Sequence, residues 1–124
     1  MHYPRLYTGS DGVSRFEDVE VDLALVEYLP GEPMLGLAQS RAAATIVFAY
    51  LPARQPAGRH ASPRAQFTIT LAGEIEVIAW DGEFRRLGPG GVYLSGDTSG
   101  DGHESRAVGP DGCVLAIIPL AQEA

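Results

Sequence analysis

Cysteine is all but missing from this chain of 124 residues: there is one, Cys113. No internal disulfide can form, so packing alone must hold the core. Cys113 lies in the apolar run Cys113-Val114-Leu115-Ala116-Ile117-Ile118, with no histidine or basic residue beside it to lower its pKa. A small buried hydrophobe is expected there, not a reactive thiol. Positive charge is also scarce, with 9 Lys plus Arg against 16 Asp plus Glu and a formal net charge of −7. Such a surface repels a phosphate backbone and anionic lipid headgroups, so neither nucleic acid nor a membrane surface is an expected partner. No apolar stretch approaches the ~20 residues that span a bilayer. The opening Met1-His2-Tyr3-Pro4-Arg5 has no apolar core of signal-peptide length. A soluble, cytoplasmic protein is expected. Internal repeats and low-complexity segments are absent as well. Ser14 and Ser62 do not sit in a nucleophile elbow. Gly88-Pro89-Gly90-Gly91 is followed by neither Lys-Ser/Thr nor a helix, so it reads as a hairpin turn and not a phosphate loop.

What is present is an ordinary globular balance, 45% hydrophobic and 20% charged. The length fits one domain over residues 1–124, able to bury roughly two-thirds of its unfolded surface. Turn chemistry dominates. The 15 Gly and 9 Pro are spread along the chain, which disfavours long helices and favours many short strands in a sandwich or barrel.

The strands can be placed from their patterns. Arg15–Val21 alternates loosely after the turn at Ser10-Asp11-Gly12, and Thr45–Leu51 is β-branched and aromatic, closed by Pro52. Between them, Pro30 to Arg41 reads as a loop with a short helical turn into Ala42-Ala43-Ala44. Gln66–Leu71 alternates with period two, turns at Ala72-Gly73 and returns as Glu74–Trp80. Asp81-Gly82 is a strong hairpin signal, followed by Glu83–Leu87 and then by Val92–Leu94. Strands are expected again from His103 to Val108 and, after the turn at 110–112, from Cys113 onward.

The span from Gly58 to Leu120 resembles the two conserved motifs of the cupin superfamily. The first, G-x5-H-x-H-x3,4-E-x6-G, is similar to the run from His60 to Gly73: His60 matches its first histidine and Gly73 its closing glycine. Ser62 stands at the second histidine and Gln66 at the glutamate. The second motif, G-x5-P-x-G-x2-H-x3-N, is matched by Gly100 and His103, while Thr98 replaces the proline and Ala107 the asparagine. Between them, GEIEVIAWDGEFRRLGPGGVYL resembles the usual intermotif run. The likeness is closest to small stand-alone bacterial cupins, through Leu6-Tyr7-Thr8-Gly9, Phe16-Glu17-Asp18 and the run Asp97 to His103. It implies an all-β, single-domain jelly-roll β-barrel (a double-stranded β-helix), with N-terminal strands over 1–57 and the motif region over 58–120.

The resemblance also implies a pocket. Cupin metal sites resemble three histidines and one carboxylate around Fe, Mn, Ni, Zn or Cu, since a divalent ion needs neutral imidazoles and an anion. Here His60, Gln66 and His103 remain as metal-ligand candidates, short of one imidazole and of the anion. Asp97, Asp101 or Glu104 would have to supply the charge, and as loop residues they are equally readable as solvated. Without metal, His60 and His103 are candidate acid and base, because histidine ordinarily changes charge near neutral pH. Ser62, Arg64, Gln66, Thr68, Thr70 and Tyr93 are the candidate ligand-binding residues, with weaker weight on Tyr50, Trp80 and Arg59. Gln66, Thr68 and Thr70 share one strand face and Phe67, Ile69 and Leu71 the other. Periodicity alone allows the polar face to meet solvent; the resemblance turns it inward, where its hydroxyls need partners. The apolar face then needs cover, and a homodimer is the expected cover. Three readings compete: an enzyme acting on a small organic molecule (lyase, isomerase, cyclase, or dioxygenase if metal binds), a non-catalytic small-molecule-binding module, and a structural relic with a filled pocket.

Overall fold

The computed structural model describes residues 1–55 and 58–121 and, among them, eleven β-strands and no helix. In chain order they are β1 (His2–Thr8), β2 (Ser14–Glu20), β3 (Ala24–Val26), β4 (Leu35–Leu37), β5 (Val47–Leu51), β6 (Gln66–Ala72), β7 (Glu74–Ala79), β8 (Phe84–Leu87), β9 (Val92–Ser95), β10 (His103–Val108) and β11 (Cys113–Pro119). No helix is long and apolar enough to cross a membrane among the described residues.

The strands form a six-stranded sheet in the order β2-β1-β9-β6-β11-β5, a three-stranded sheet β10-β7-β8, and a separate pair β3-β4. Strands from residues 1–57 and from the motif region interleave in the large sheet: β9 lies between β1 and β6, and β11 between β6 and β5. The two larger sheets face each other as separate hydrogen-bonded units and do not close into one ring. Leu6, Phe16, Tyr93, Cys113 and Leu115 of the large sheet pack against Ile75, Val77 and Ala79 of the small one. Each large apolar side chain buried this way contributes about 1.5–3 kcal/mol. Cys113 sits in this core, and burial pushes its thiol pKa up, as expected of an inert hydrophobe.

Strand alternation settles which residues face inward. Thr68 and Thr70 are buried between the sheets, opposite Ile117 and Leu115 of β11, while Phe67, Ile69 and Leu71 lie on the outer side. One sequence expectation is corrected, and two strands appear where the sequence pattern marks none. The loop with a helical turn over residues 30–44 holds strand β4 and an isolated bridge from Ala43 to Leu120 instead, because the amides at Ala44 and Ala121 bond across to Pro119 and Ala42 carbonyls rather than along a helix. The segment before Ser10, where the sequence pattern places no individual strand, forms β1. The segment from Ala24 to Leu37 folds as the hairpin β3–β4.

On the outer face of the small sheet, Glu76 is buried and accepts from Arg86 Nε at 2.7 Å and Arg106 Nε at 2.8 Å. These bonds, Arg86 first, hold the Glu76 carboxyl below the ordinary carboxylate range against the cost of its burial. The open groove beside it, lined by Arg54, Arg86, Glu104 and Arg106, therefore has two of its three cations already engaged.

Candidate functional site

Between the two larger sheets lies a cavity of about 200 Å³. Its polar lining comes from His60, Ser62, Gln66, Thr68, Tyr93, Ser95, His103 and Ser105, and its apolar wall from Ala49, Leu51, Ile75, Leu115 and Ile117, with Tyr50 at the rim. The space equals roughly seven waters at ~30 Å³ each, so it suits a small, polar molecule. Segments distant in sequence build it: β6 and β9 from the large sheet, β10 from the small one, and the stretch 60–62 between them.

His60 and His103 are brought together through the backbone. They form an isolated antiparallel bridge, with His60 N to His103 O and His103 N to His60 O both at 3.1 Å. Their ring centroids are 5.7 Å apart. Gly102 makes this approach possible. Its φ is +76°, and a β-carbon there would overlap the His60 carbonyl. Ser14, wholly buried, fixes the same point from behind: its Oγ donates to Gly102 O at 2.6 Å and accepts from Trp80 N at 2.8 Å.

His103 is 4% exposed, and its Nδ1 lies 2.6 Å from Oδ2 of Asp97, which is fully buried. An ionised carboxylate only accepts, so Nδ1 carries the proton and Nε2 is bare when the ring is neutral. The loop that carries Asp97 is pinned on three sides: Gly96 N donates to Leu6 O, Ser62 N to Asp97 O, and Asp101 N to Gly12 O. The other carboxylate oxygen, Oδ1, is buried and has no hydrogen-bond partner among the described residues. The Tyr93 hydroxyl shares hydrogen bonds with Thr68 and Ser95, and burial raises its pKa, so the phenol stays protonated.

Most of the residues marked in the sequence line the cavity: His60, His103, Gln66, Ser62, Thr68 and Tyr93. Two do not. Thr70 lies deeper and spends its hydroxyl on Leu87 O at 3.2 Å. Arg64 is exposed and lines a separate surface groove with Arg41 and Pro63. Ser62 donates to Arg64 O at 2.6 Å, so a neighbouring carbonyl already takes its proton. Arg59 stacks on Trp80, 3.6 Å above the ring, and neither residue reaches the cavity. Asp97 has a role the sequence does not reveal: an aspartate on a Gly-rich loop reads as solvated, and only the tertiary pinning buries it behind His103. Ser95 and Ser105 join the lining without any local signal in the sequence to mark them.

The donor set does not fit a resident divalent metal. Two imidazoles and the Gln66 amide face the cavity without an anion, since Asp97 is committed to His103 Nδ1 and Glu104 faces the outer groove. Among the described residues no three His, Cys, Asp or Glu side chains converge as a metal cluster.

No family model matches the chain, and no curated protein sequence matches it. Among solved structures, the chain is similar to the protein NMB1881 from Neisseria meningitidis, at 17% identity and a TM-score of 0.51, over 66% of this chain and 84% of that one. A likeness of this degree speaks for a shared fold alone.

Proposed function

We propose that the chain is a small cupin-type jelly roll, a double-sheet fold, and that it works as a metal-independent acid–base enzyme, an isomerase or lyase, on a small polar carbonyl compound held between its sheets. The observation that carries this reading is the buried Asp97–His103 couple at the wall of a polar cavity. Asp97 orients the ring by accepting from Nδ1, which leaves Nε2 of the neutral ring as a base. Tyr93, with Thr68 and Ser95, is a neutral donor positioned to stabilise negative charge growing on a substrate oxygen as the proton leaves carbon. His60, across the mouth from His103, is the group to return a proton. The matched histidines at 60 and 103 support the cupin reading, as does the inward face of β6.

A panel of small 2-oxo acids and 1,3-dicarbonyl compounds in D2O tests this before any one substrate is identified. Ligand-observed NMR reports binding, and loss of the C–H signal reports proton abstraction. At least one member is expected to bind and exchange, and His103→Gln is expected to slow its exchange by ~10²–10⁴-fold while binding persists. Binding without exchange in the wild type indicates a non-catalytic binding module. No binding by any member contradicts the small-molecule reading.

A further inference from the structure

Two apolar surfaces of the chain are left largely exposed. The first is the outer face of β5, β6, β9 and β11. These four strands contain no Asp, Glu, Lys, Arg or His, and their outer face carries Phe48, Tyr50, Phe67, Ile69, Leu71 and Ile118. Phe48 is 69% and Tyr50 60% exposed. β5 is also an edge strand, paired with β11 on one side only. The second surface is the arm formed by β3, β4 and their connection. Its strands are three residues long and pair only with each other. Leu25 is 68%, Tyr28 63% and Met34 57% exposed. An isolated two-stranded hairpin is marginal in water even when longer than this, so the arm needs a surface to lie on.

We infer that the arm and the sheet face cover each other between two copies of this chain, arm to sheet in both directions. This inference goes beyond the catalytic reading and does not depend on it. Twelve of the sixteen exposed large apolar side chains fall between Leu23 and Tyr50. At about 100 Å² each they expose roughly 1,200 Å² per chain, more than the ~800 Å² per partner that a standard interface buries. Strands without charged residues suit the core of a permanent interface, where charged residues are depleted, with Arg41 at its rim. A two-fold exchange satisfies both surfaces at once and closes, leaving neither open to a third copy. Arg41, at the foot of the arm, already lies over Phe67, 5.7 Å from its ring, so the arm departs from the edge of this face. The exchange also braces β5, whose inward residues Ala49 and Leu51 wall the cavity.

Sedimentation of the full chain at micromolar concentration tests this. The wild type is expected to be a dimer. Leu25→Glu on the arm and Phe48→Glu on the sheet face are each expected to be monomeric, with association weakened by ~100-fold or more. Both sites are exposed in the single chain, so far-UV circular dichroism is expected to be unchanged. Mixing the two variants is expected to restore a heterodimer, because one intact arm then meets one intact face; a simple face-to-face dimer would not recover. Amides of β3 and β4 are expected to gain hydrogen-exchange protection as concentration rises. A monomeric wild type, whether or not it adheres to lipid vesicles, overturns the inference. So do a dimer that survives Leu25→Glu and a mixture that stays monomeric.

Discussion

Replacing Asp97 by Ala is expected to lower folding stability by about 3 kcal/mol, read as a shift of the urea midpoint at unchanged slope. Asp97 is fully buried, and its Oδ2 takes the 2.6 Å bond from His103 Nδ1. Truncation leaves that N–H buried without an acceptor and opens a hole in a loop pinned to β1, to Ser62 and to Gly12. Each loss alone costs on the order of 1–3 kcal/mol. Asp97→Asn is expected to behave differently. The amide oxygen still accepts from Nδ1, and the change removes a buried charge whose second oxygen has no partner among the described residues, so stability should stay within about 1 kcal/mol of wild type. Activity separates Asp97→Asn from wild type, since an amide can also present its NH2 to Nδ1 and so favour the tautomer protonated at Nε2. If Asp97→Ala unfolds at the wild-type midpoint, the couple does not hold the site.

The second large effect is expected at Gly102. Gly102→Ala should cost about 3 kcal/mol, from a left-handed backbone and from a β-carbon driven into the His60 carbonyl. Gly82→Ala is the matched control: its φ is +95°, but nothing lies within 4 Å of an added β-carbon, so only the backbone cost of about 1 kcal/mol applies. The gap between the two variants measures the crowding that joins the histidines. Equal losses would mean that the close approach of residues 60 and 102 contributes nothing.

Much of the fold is legible in the sequence because its strands announce themselves locally. β6 alternates cleanly, β10 has the bounds its pattern predicts, and Asp81-Gly82 does turn a hairpin with Gly82 in the left-handed region. Other elements are hidden for physical reasons. β1 contains Pro4, which withholds an amide and so weakens a strand reading. It is tolerated because pairing with β9 begins only at Arg5. The arm reads as a loop because its glycines and prolines speak for turns, while its leucines have no partner within the body to explain them. Within the site, the positions of His60, Gln66 and His103 are legible from motif spacing, and Thr68 follows from alternation. Thr70 follows the same face but lies too deep, since alternation fixes a direction and not a depth. Asp97 is the least legible. Its burial depends on hydrogen bonds to Leu6, Gly12 and residue 62, none of which is near it in sequence.

The site rests on one proton. A long-range ¹H–¹⁵N spectrum, recorded where the imidazole rings are neutral, reads which ring nitrogen of each histidine is protonated. For His103 the expected result is a protonated Nδ1 and a bare Nε2, with the pattern lost in Asp97→Ala. A His103 ring protonated at Nε2, or one that averages between both tautomers as a solvated histidine does, would contradict the account.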